Sequence, residues 1–592
     1  MKDVSNSARG AGHAGSPSTE TPKGSTRRKL LGQVGATFAA GMLGRTASAS
    51  GQSSSSAGGA AGANNVDSPE GVSNSRVHKA FALRVSAAMN EARIPVPPHT
   101  TNGDEARYSD KSATYTKGLL QDGLCEVNLY AYKTLKTALN SGEPDDFEKI
   151  TLGGTRKLNC PQGGLTFDLE GSDSVQFGNA PSHHNQEDGV VVPPPPALAS
   201  AAYGTELVEL YWASLLRDVA FTDYATSSVA NAAAQELSTM SAYAGPRNSS
   251  GQVTPDLLFR GVFHGETVGP YISQFFITPT AFGAQAISQQ MTSYISHLDY
   301  MTDPSTFQQV QNGISTGLVN QSDAQPRYMH DGRGLGAYTH VDVLYQAYFT
   351  AYLVLNTLSV PLNPGNPYAE SKTQNGFGSF GQPHFASLVA EVASRALNAV
   401  WYQKWFVHLR HRPESGGGIA HLIATGHGGT IQGKLSSNVM NSNALQASLN
   451  KYGSYFLSQA FPEGSPTHPA YPTGHGTVGG ACITILKFFF DGSFVLPNPL
   501  VPTGDGLALA SYSGADAGQL TVNGELNKLA HNVSFGHGIL SGIHWRSDSD
   551  SSIVLGEAVA ISILQDKAQT FNEKFTVHFT KLDGTTATIS NQ

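Results

Sequence analysis

The chain has 592 residues, 39% hydrophobic and 14% charged, with 64 Gly and 31 Pro, enough length for one or more real cores among many loops. Its net charge of −8 argues against nucleic acid or an anionic membrane surface as the main partner, but not against a local positive pocket. The three cysteines, Cys125, Cys160 and Cys482, exclude a disulfide-dense scaffold and match no metal-binding spacing. They read as buried thiols, with a Cys125–Cys160 bridge as the alternative if the chain is exported.

Residues 1–75 are rich in Ser, Gly, Ala and Thr and poor in large apolar side chains, so burial there does not offset the entropy cost of ordering. Within them, Arg27-Arg28-Lys29 precedes a weakly apolar stretch from Val34 to Leu43 and then Ala47-Ser48-Ala49. Paired arginines, a short apolar region and an A-x-A site read as a twin-arginine export signal, hence a periplasmic or extracellular location. The plain alternative is a disordered basic tail. No later apolar run reaches the roughly 20 residues of a membrane span.

Residues 76–592 read as a single helical domain. The apolar spacing predicts a helix over 76–93, then loops over 94–116 and 141–198, where Pro193–Pro196 is a short stiffener. Helical periodicity returns at Glu206–Leu216, Ser227–Met240, Ala281–His297, His340–Leu358 and His384–His411. It returns again from Gly474 to Phe490 and over a last pair, Leu520–Trp545 and Ser549–Asn572. The tail Lys574–Ser590 alternates and reads as a strand or hairpin. The fold class is therefore mainly α, a large helical bundle with long loops, a short C-terminal β element and a catalytic part at about 380–572.

Three segments carry chemistry. In the first, Trp401 to Glu414, Lys404 and Arg412 are eight apart; on a continuous helix they project roughly 80° apart. A point charge and a planar fork aimed at one spot suit a phosphate-like anion. Pro413 would then stop the helix. The second, His468-Pro469-Ala470-Tyr471-Pro472-Thr473-Gly474-His475, runs into an apolar helix. Thr473 offers a hydroxyl, Gly474 lets backbone approach a ligand, and the helix start offers free N–H groups and a positive dipole end. His475 is placed there as an acid or base. In the third, Gly536 to Asp548, His544 and Asp548 stand at i and i+4, so they meet on one face if the helix is continuous. A carboxylate on one imidazole nitrogen sharpens the other as ligand or nucleophile.

Cation pair, P-T-G-H, then G-I-H-x-x-x-D is an order that resembles the signature shared by type 2 phosphatidic acid phosphatases and vanadium haloperoxidases. The stretches Pro98-His99-Thr100-Thr101-Asn102-Gly103-Asp104-Glu105, Phe259-Arg260-Gly261, Gly265 to Phe275 and Asp331-Gly332-Arg333 are similar to the bacterial and algal bromoperoxidase-like branch. The resemblance spans roughly residues 76–590. It implies the helical-bundle fold of the haloperoxidase and acid phosphatase type, and a vanadate cofactor with hydrogen peroxide, a halide and a small organic substrate as partners.

Residue by residue, the resemblance implies that Lys404, Arg412, Thr473 and Gly474 hold vanadate oxygens. His544 is the metal ligand and Asp548 its carboxylate partner. His475 is the acid–base group, and Trp401 and His468 line the halide pocket. The family has an arginine six residues before the ligand histidine, where this chain has Gly538, with His537 beside it. Arg546 is expected to point elsewhere, since i and i+2 share no helical face. Three rival functions keep the scaffold: a metal-free phosphatase with His544 as nucleophile, a non-oxidative acid–base catalyst, and a non-catalytic oxyanion binder. Relatives of this kind assemble as dimers or larger, so a homo-oligomer is expected by analogy.

Overall fold

The computed structural model describes residues 77–86, 89, 99–154 and 192–592. The export signal and Cys160 lie outside the described residues. Residues 77–86 are helical, within the stretch expected to be so. The longer helices that follow are α1 (Leu129–Ser141), α2 (Ala201–Leu216), α3 (Ser228–Thr239), α4 (Gly332–Val341) and α5 (Gln346–Thr357). Then come α6 (Gln382–Tyr402), α7 (Pro413–Ala424), α8 (Asn443–Tyr452), α9 (Gly474–Phe489), α10 (Val522–His537) and α11 (Arg546–Ala568). Every sheet among the described residues has two strands. They include a hairpin of β1 (Thr280–Phe282) with β2 (Gln285–Ile287), and the C-terminal hairpin of β3 (Thr576–Thr580) with β4 (Thr586–Ser590).

The bundle is built around α9 and α10, in each of which every residue is buried. A helix apolar on all sides belongs in a core, and α9 is packed by α6, α10 and α11. Small residues set the closest approach. A methyl group at Gly480 would collide with the Ile553 carbonyl, and one at Gly556 with the Thr477 carbonyl. Glycine at both positions therefore lets α9 and α11 lie backbone against backbone. Side-chain caps start several helices: Ser200 accepts from the Tyr203 N–H at 3.1 Å, and Thr521 from that of Gly524 at 3.2 Å.

Four expected helices differ. Ala281–His297 is not helical: Gly283 takes φ 59° and turns the chain into the β1–β2 hairpin. His340–Leu358 is split by extended Asp342 between α4 and α5. His384–His411 ends as α6 at Tyr402, continues as a π turn over Gln403–His408, and stops at Leu409 in the left-handed region (φ 44°). Leu520–Trp545 ends at His537, and residues 538–545 form a loop before α11. The tail forms the expected hairpin, its inward Val577, Phe579, Ala587 and Ile589 closing on the core.

Candidate functional site

Lys404 and Arg412 do not share a helix. Lys404 sits in the π turn after α6, while Arg412 is extended and immediately precedes α7, which Pro413 opens rather than stops. The reversal at Leu409 nevertheless turns both cations inward, and both are fully buried. Lys404 Nζ donates to the carbonyls of Pro469 (2.8 Å) and Ala470 (3.0 Å), which leaves one of its three N–H bonds for another acceptor. Burial, seconded by the charge of Arg412, pushes its ammonium well below the ordinary lysine range. Burial likewise lowers Arg412 to about 10.

Arg412 ties two histidines together. Its Nη1 donates to His544 Nε2 (2.7 Å) and to the Ile543 carbonyl (3.0 Å). Its Nη2 donates to His468 Nδ1 (2.9 Å), and its Nε to the His468 carbonyl (2.9 Å). Because Arg412 can only donate, His544 Nε2 must carry its lone pair there. The other ring nitrogen, Nδ1, donates to Asp548 Oδ2 (3.0 Å). His544 is thus held as the neutral tautomer with the lone pair on Nε2. The pairing expected at i and i+4 is present, but its geometry is different. His544 lies in the loop before α11, and Asp548 caps that helix by accepting from the Trp545 N–H (3.0 Å).

The sequence reading missed what braces Asp548. Arg410 donates from Nη1 to Asp548 Oδ1 (2.7 Å) and to the Ser547 hydroxyl (2.8 Å), and from Nη2 to Glu206 Oε2 (2.9 Å) on α2. Arg546 does point elsewhere, gripping Glu209 of α2 at 2.9 and 2.5 Å. Two acids spaced by three in an otherwise apolar helix were the available signal for buried arginine partners.

On the other side, α9 starts at Gly474 after Thr473, whose side chain makes no capping bond. The Thr473 hydroxyl is buried with no hydrogen-bond partner among the described residues. An uncapped helix start and a spare hydroxyl together make an anion cradle. His475, in the first turn, donates from Nε2 to Asp342 Oδ1 (2.9 Å). Asp342 was not foreseen, since it reaches the site from the break between α4 and α5. The His475 ring stacks on His537 at 3.8 Å and 26°, and His537 lies 5.5 Å from His544. His537 Nδ1 is buried and has no partner among the described residues. Trp401 stands beside His468, ring centroids 4.7 Å apart.

A cavity of about 530 Å³ joins these groups; Trp401, His468, Gly474, His475, His537 and His544 line it. Lys404, Arg412 and Thr473 stand behind that lining. Gly538 does not face it. A Cβ there would meet the Ser534 carbonyl oxygen at 2.8 Å and His544 Cβ at 3.0 Å, so the third segment presents His537 instead. Burial first, and then neighbouring positive groups with Arg412 prominent, pushes His468, His537 and His544 well below the ordinary imidazole range. Burial, with neighbouring positive charge behind it, thus disfavours the protonated form of these three histidines, and a bound anion would offset that charge.

Among the described residues no group of three or more His, Cys, Asp or Glu is placed to hold a metal cation. One imidazole lone pair, two buried cations, a spare hydroxyl and a helix N-terminus fit an oxyanion whose central atom binds a single histidine. Seating it requires Arg412 Nη1 to move from His544 Nε2 to an anion oxygen.

Fold and site define a helical protein in which two buried cations, a spare hydroxyl and a helix N-terminus gather near His544, an arrangement that suits a tetrahedral oxyanion. No family model matches the chain. Over 607 residues it is 32% identical to the vanadium-dependent bromoperoxidase of Corallina officinalis, covering 87% of this chain and 98% of that protein. The vanadium-dependent bromoperoxidase of Ascophyllum nodosum is also 32% identical, over 86% of this chain and 92% of its own. Among solved structures, the homohexameric second vanadate-dependent bromoperoxidase of Ascophyllum nodosum superposes with TM-score 0.78 at 25% identity, covering 93% and 96% of the two chains. The chain belongs to the vanadium-dependent bromoperoxidase family.

Proposed function

We propose that the chain binds vanadate on His544 and uses hydrogen peroxide to oxidise a halide to a halogenating species. The observation that carries this is the Asp548–His544 pair, which presents a neutral Nε2 to a buried, positively charged cavity. When bound, vanadate supplies Lewis acidity toward peroxide. Lys404, Arg412, Thr473 and the Gly474 N–H hold its oxygens, as donors fixed before charge develops. Lys404 meets developing negative charge with its remaining N–H. His475, tethered by Nε2 to Asp342, keeps Nδ1 for proton exchange with the reacting oxygen. Trp401 and His468 line the place of the halide, and the apolar walls limit water.

The chain is further read as an exported homo-oligomer. Export rests on Arg27-Arg28 and Ala47-Ser48-Ala49; oligomerisation rests on the homohexameric relative. No helix among the described residues is long and apolar enough to cross a membrane. The deciding experiment is titration of metal-free protein with vanadate while bromination is followed with peroxide and bromide. Activity should rise to saturation at one vanadate per chain. Phosphomonoester hydrolysis with no vanadate-dependent bromination would favour a phosphatase with His544 as nucleophile.

A further inference from the structure

Six arginines are buried among the described residues: Arg217, Arg260, Arg333, Arg410, Arg412 and Arg546. Four of them grip carboxylates: Arg217 that of Asp299, Arg333 those of Asp218 and Asp299, Arg410 those of Glu206 and Asp548, and Arg546 that of Glu209. The other two are Arg412, beside the oxyanion cradle, and Arg260. Among the described residues Arg260 donates to main-chain carbonyls: from Nε to that of Asp256 (2.8 Å), from Nη1 to that of Glu266 (3.1 Å) and from Nη2 to that of Gly269 (2.8 Å). These bonds leave two of the five N–H groups of a guanidinium for a further acceptor. The carboxylates nearby do not claim them. Glu525 is paired with Lys528, Asp516 accepts from the Tyr512 hydroxyl (2.7 Å) and the Gly269 N–H (2.6 Å), and Asp256 is exposed. A buried cation without a counter-ion costs stability. Arg260 lines a second cavity, of about 300 Å³, which shares no wall residue with the His544 cavity. That volume is at the small end of ligand pockets, about 300–1,000 Å³. Phe221, Tyr271, Ile272, Val501 and Pro502 supply its apolar wall, with the Phe221 and Tyr271 rings stacked at 3.8 Å and 11°. Tyr224 lines it too, and the Tyr224 hydroxyl is buried with no partner among the described residues.

We propose that this second cavity is a binding site for a small aromatic carboxylate, with the carboxylate on Arg260 and the ring against the apolar wall. A planar guanidinium matches a planar carboxylate, and the bond between them is charge-assisted. Binding supplies the counter-ion that the protein itself withholds from Arg260. The wall takes an apolar body of the size of one ring, and the Tyr224 hydroxyl is there for a polar substituent on it. Because the two cavities have no wall residue in common, an anion held on Arg260 does not compete with one held beside His544. The site is therefore independent of the halide-oxidising reading and stands whether or not His544 binds vanadate.

The test uses the full-length protein with benzoate as the probe and excess vanadate present to occupy the cradle. Binding is measured by calorimetry and saturation-transfer NMR. Benzoate should saturate at one per chain, and benzamide, of the same shape but uncharged, should bind about tenfold more weakly. Arg260→Gln removes the charge-assisted contact and should weaken benzoate about tenfold or more. Arg260 also ties three carbonyls together, so a thermal melt checks that this variant folds. Val501→Trp is the second arm: position 501 is half-buried in the wall, and the larger ring fills the cavity while the guanidinium stays in place. It should weaken benzoate to a similar degree. Photolabelling with 4-azidobenzoate and peptide mapping should mark the segments around Tyr224, Tyr271 and Val501. No benzoate binding, equal affinity for benzamide, labelling confined to the His544 cavity, or wild-type affinity in either folded variant would each overturn the proposal.

Discussion

The two sides of the cavity are finished to different degrees. On the His544 side both ring nitrogens have partners: Asp548 and Arg412 hold the ring, and Arg410 and the Trp545 N–H hold Asp548. On the facing side, Thr473 Oγ1 and His537 Nδ1 are buried without partners among the described residues. Protein groups alone preorganise the ligand side, while the facing side keeps unused donors and acceptors that a bound anion would satisfy. Buried polar atoms left open cost stability, so an anion binding there should stabilise the protein as well as activate it.

The most severe way to break this contrast is His544→Ala. His544 Nε2 is the imidazole lone pair that the buried Arg412 fork already meets, so vanadate-dependent bromination should be lost outright, and with it the vanadate-induced rise in Tm. Wild-type bromination in that variant would refute the ligand assignment. Arg410→Ala should act next most strongly, and first on stability. It leaves Asp548 and Glu206 as buried acids without their cation, a loss on the order of 3–5 kcal/mol that thermal melts would record. Asp548→Ala acts on the same brace through His544 itself; equilibrium dialysis should show vanadate affinity falling by about 10–100-fold.

Acid should loosen the bundle in a defined window. Burial lowers His408, His411 and His531 to about 3 from an ordinary 6.5. Above pH 6.5 these groups are neutral in both folded and unfolded chains and contribute no pH dependence. Below it the unfolded chain takes up protons that the folded protein refuses, so stability falls with pH from about 6.5 toward 3. Burial raises the Glu266 carboxyl to about 8 and that of Asp550 to about 7, so these two groups act oppositely and stabilise the fold as pH falls through those values. Tm should therefore rise slightly from pH 8 and decline below about 6.5, where the three imidazoles outnumber the two carboxyls. A Tm that keeps rising from pH 6.5 to pH 5 would contradict the burial of these imidazoles.

What could be read from the sequence follows how local the feature is. The anion cradle was legible because Pro472, Thr473, Gly474 and His475 are consecutive and a helix start is a local event. The partnership of His544 with Asp548 was legible, but its form was not, because periodicity does not reveal that α11 begins only at Arg546. Lys404 and Arg412 were correctly grouped for an incorrect reason. A π turn and a left-handed Leu409 redirect the chain between them, and no apolar repeat reports that. Arg410, Glu206 and Asp342 were invisible as site residues because each reaches its partner across more than a hundred residues of chain. Long-range pairing of buried charges is decided by topology rather than by spacing.

The smallest expected effects concern the position where the family carries arginine, and they sharpen the comparison most. His537 faces the cavity, stacked on His475, but burial and its positively charged surroundings keep it from holding a proton readily. It therefore meets an anion as a neutral donor, worth about 0.5–1.5 kcal/mol rather than the 1.5–3 of a charged contact. His537→Ala should accordingly weaken vanadate binding only about twofold to tenfold. Gly538→Arg should not supply the missing cation. Its Cβ would press on the Ser534 carbonyl oxygen at 2.8 Å, and the residue is not part of the cavity lining. Overpacking of this kind costs about 1–3 kcal/mol, so Tm should fall while vanadate affinity stays unchanged. The opposite result, a stable Gly538→Arg protein that binds vanadate tenfold or more tightly, would mean that residues 538–545 rearrange to bring position 538 into the cavity. The unfinished side would then be a consequence of the missing arginine rather than of the loop.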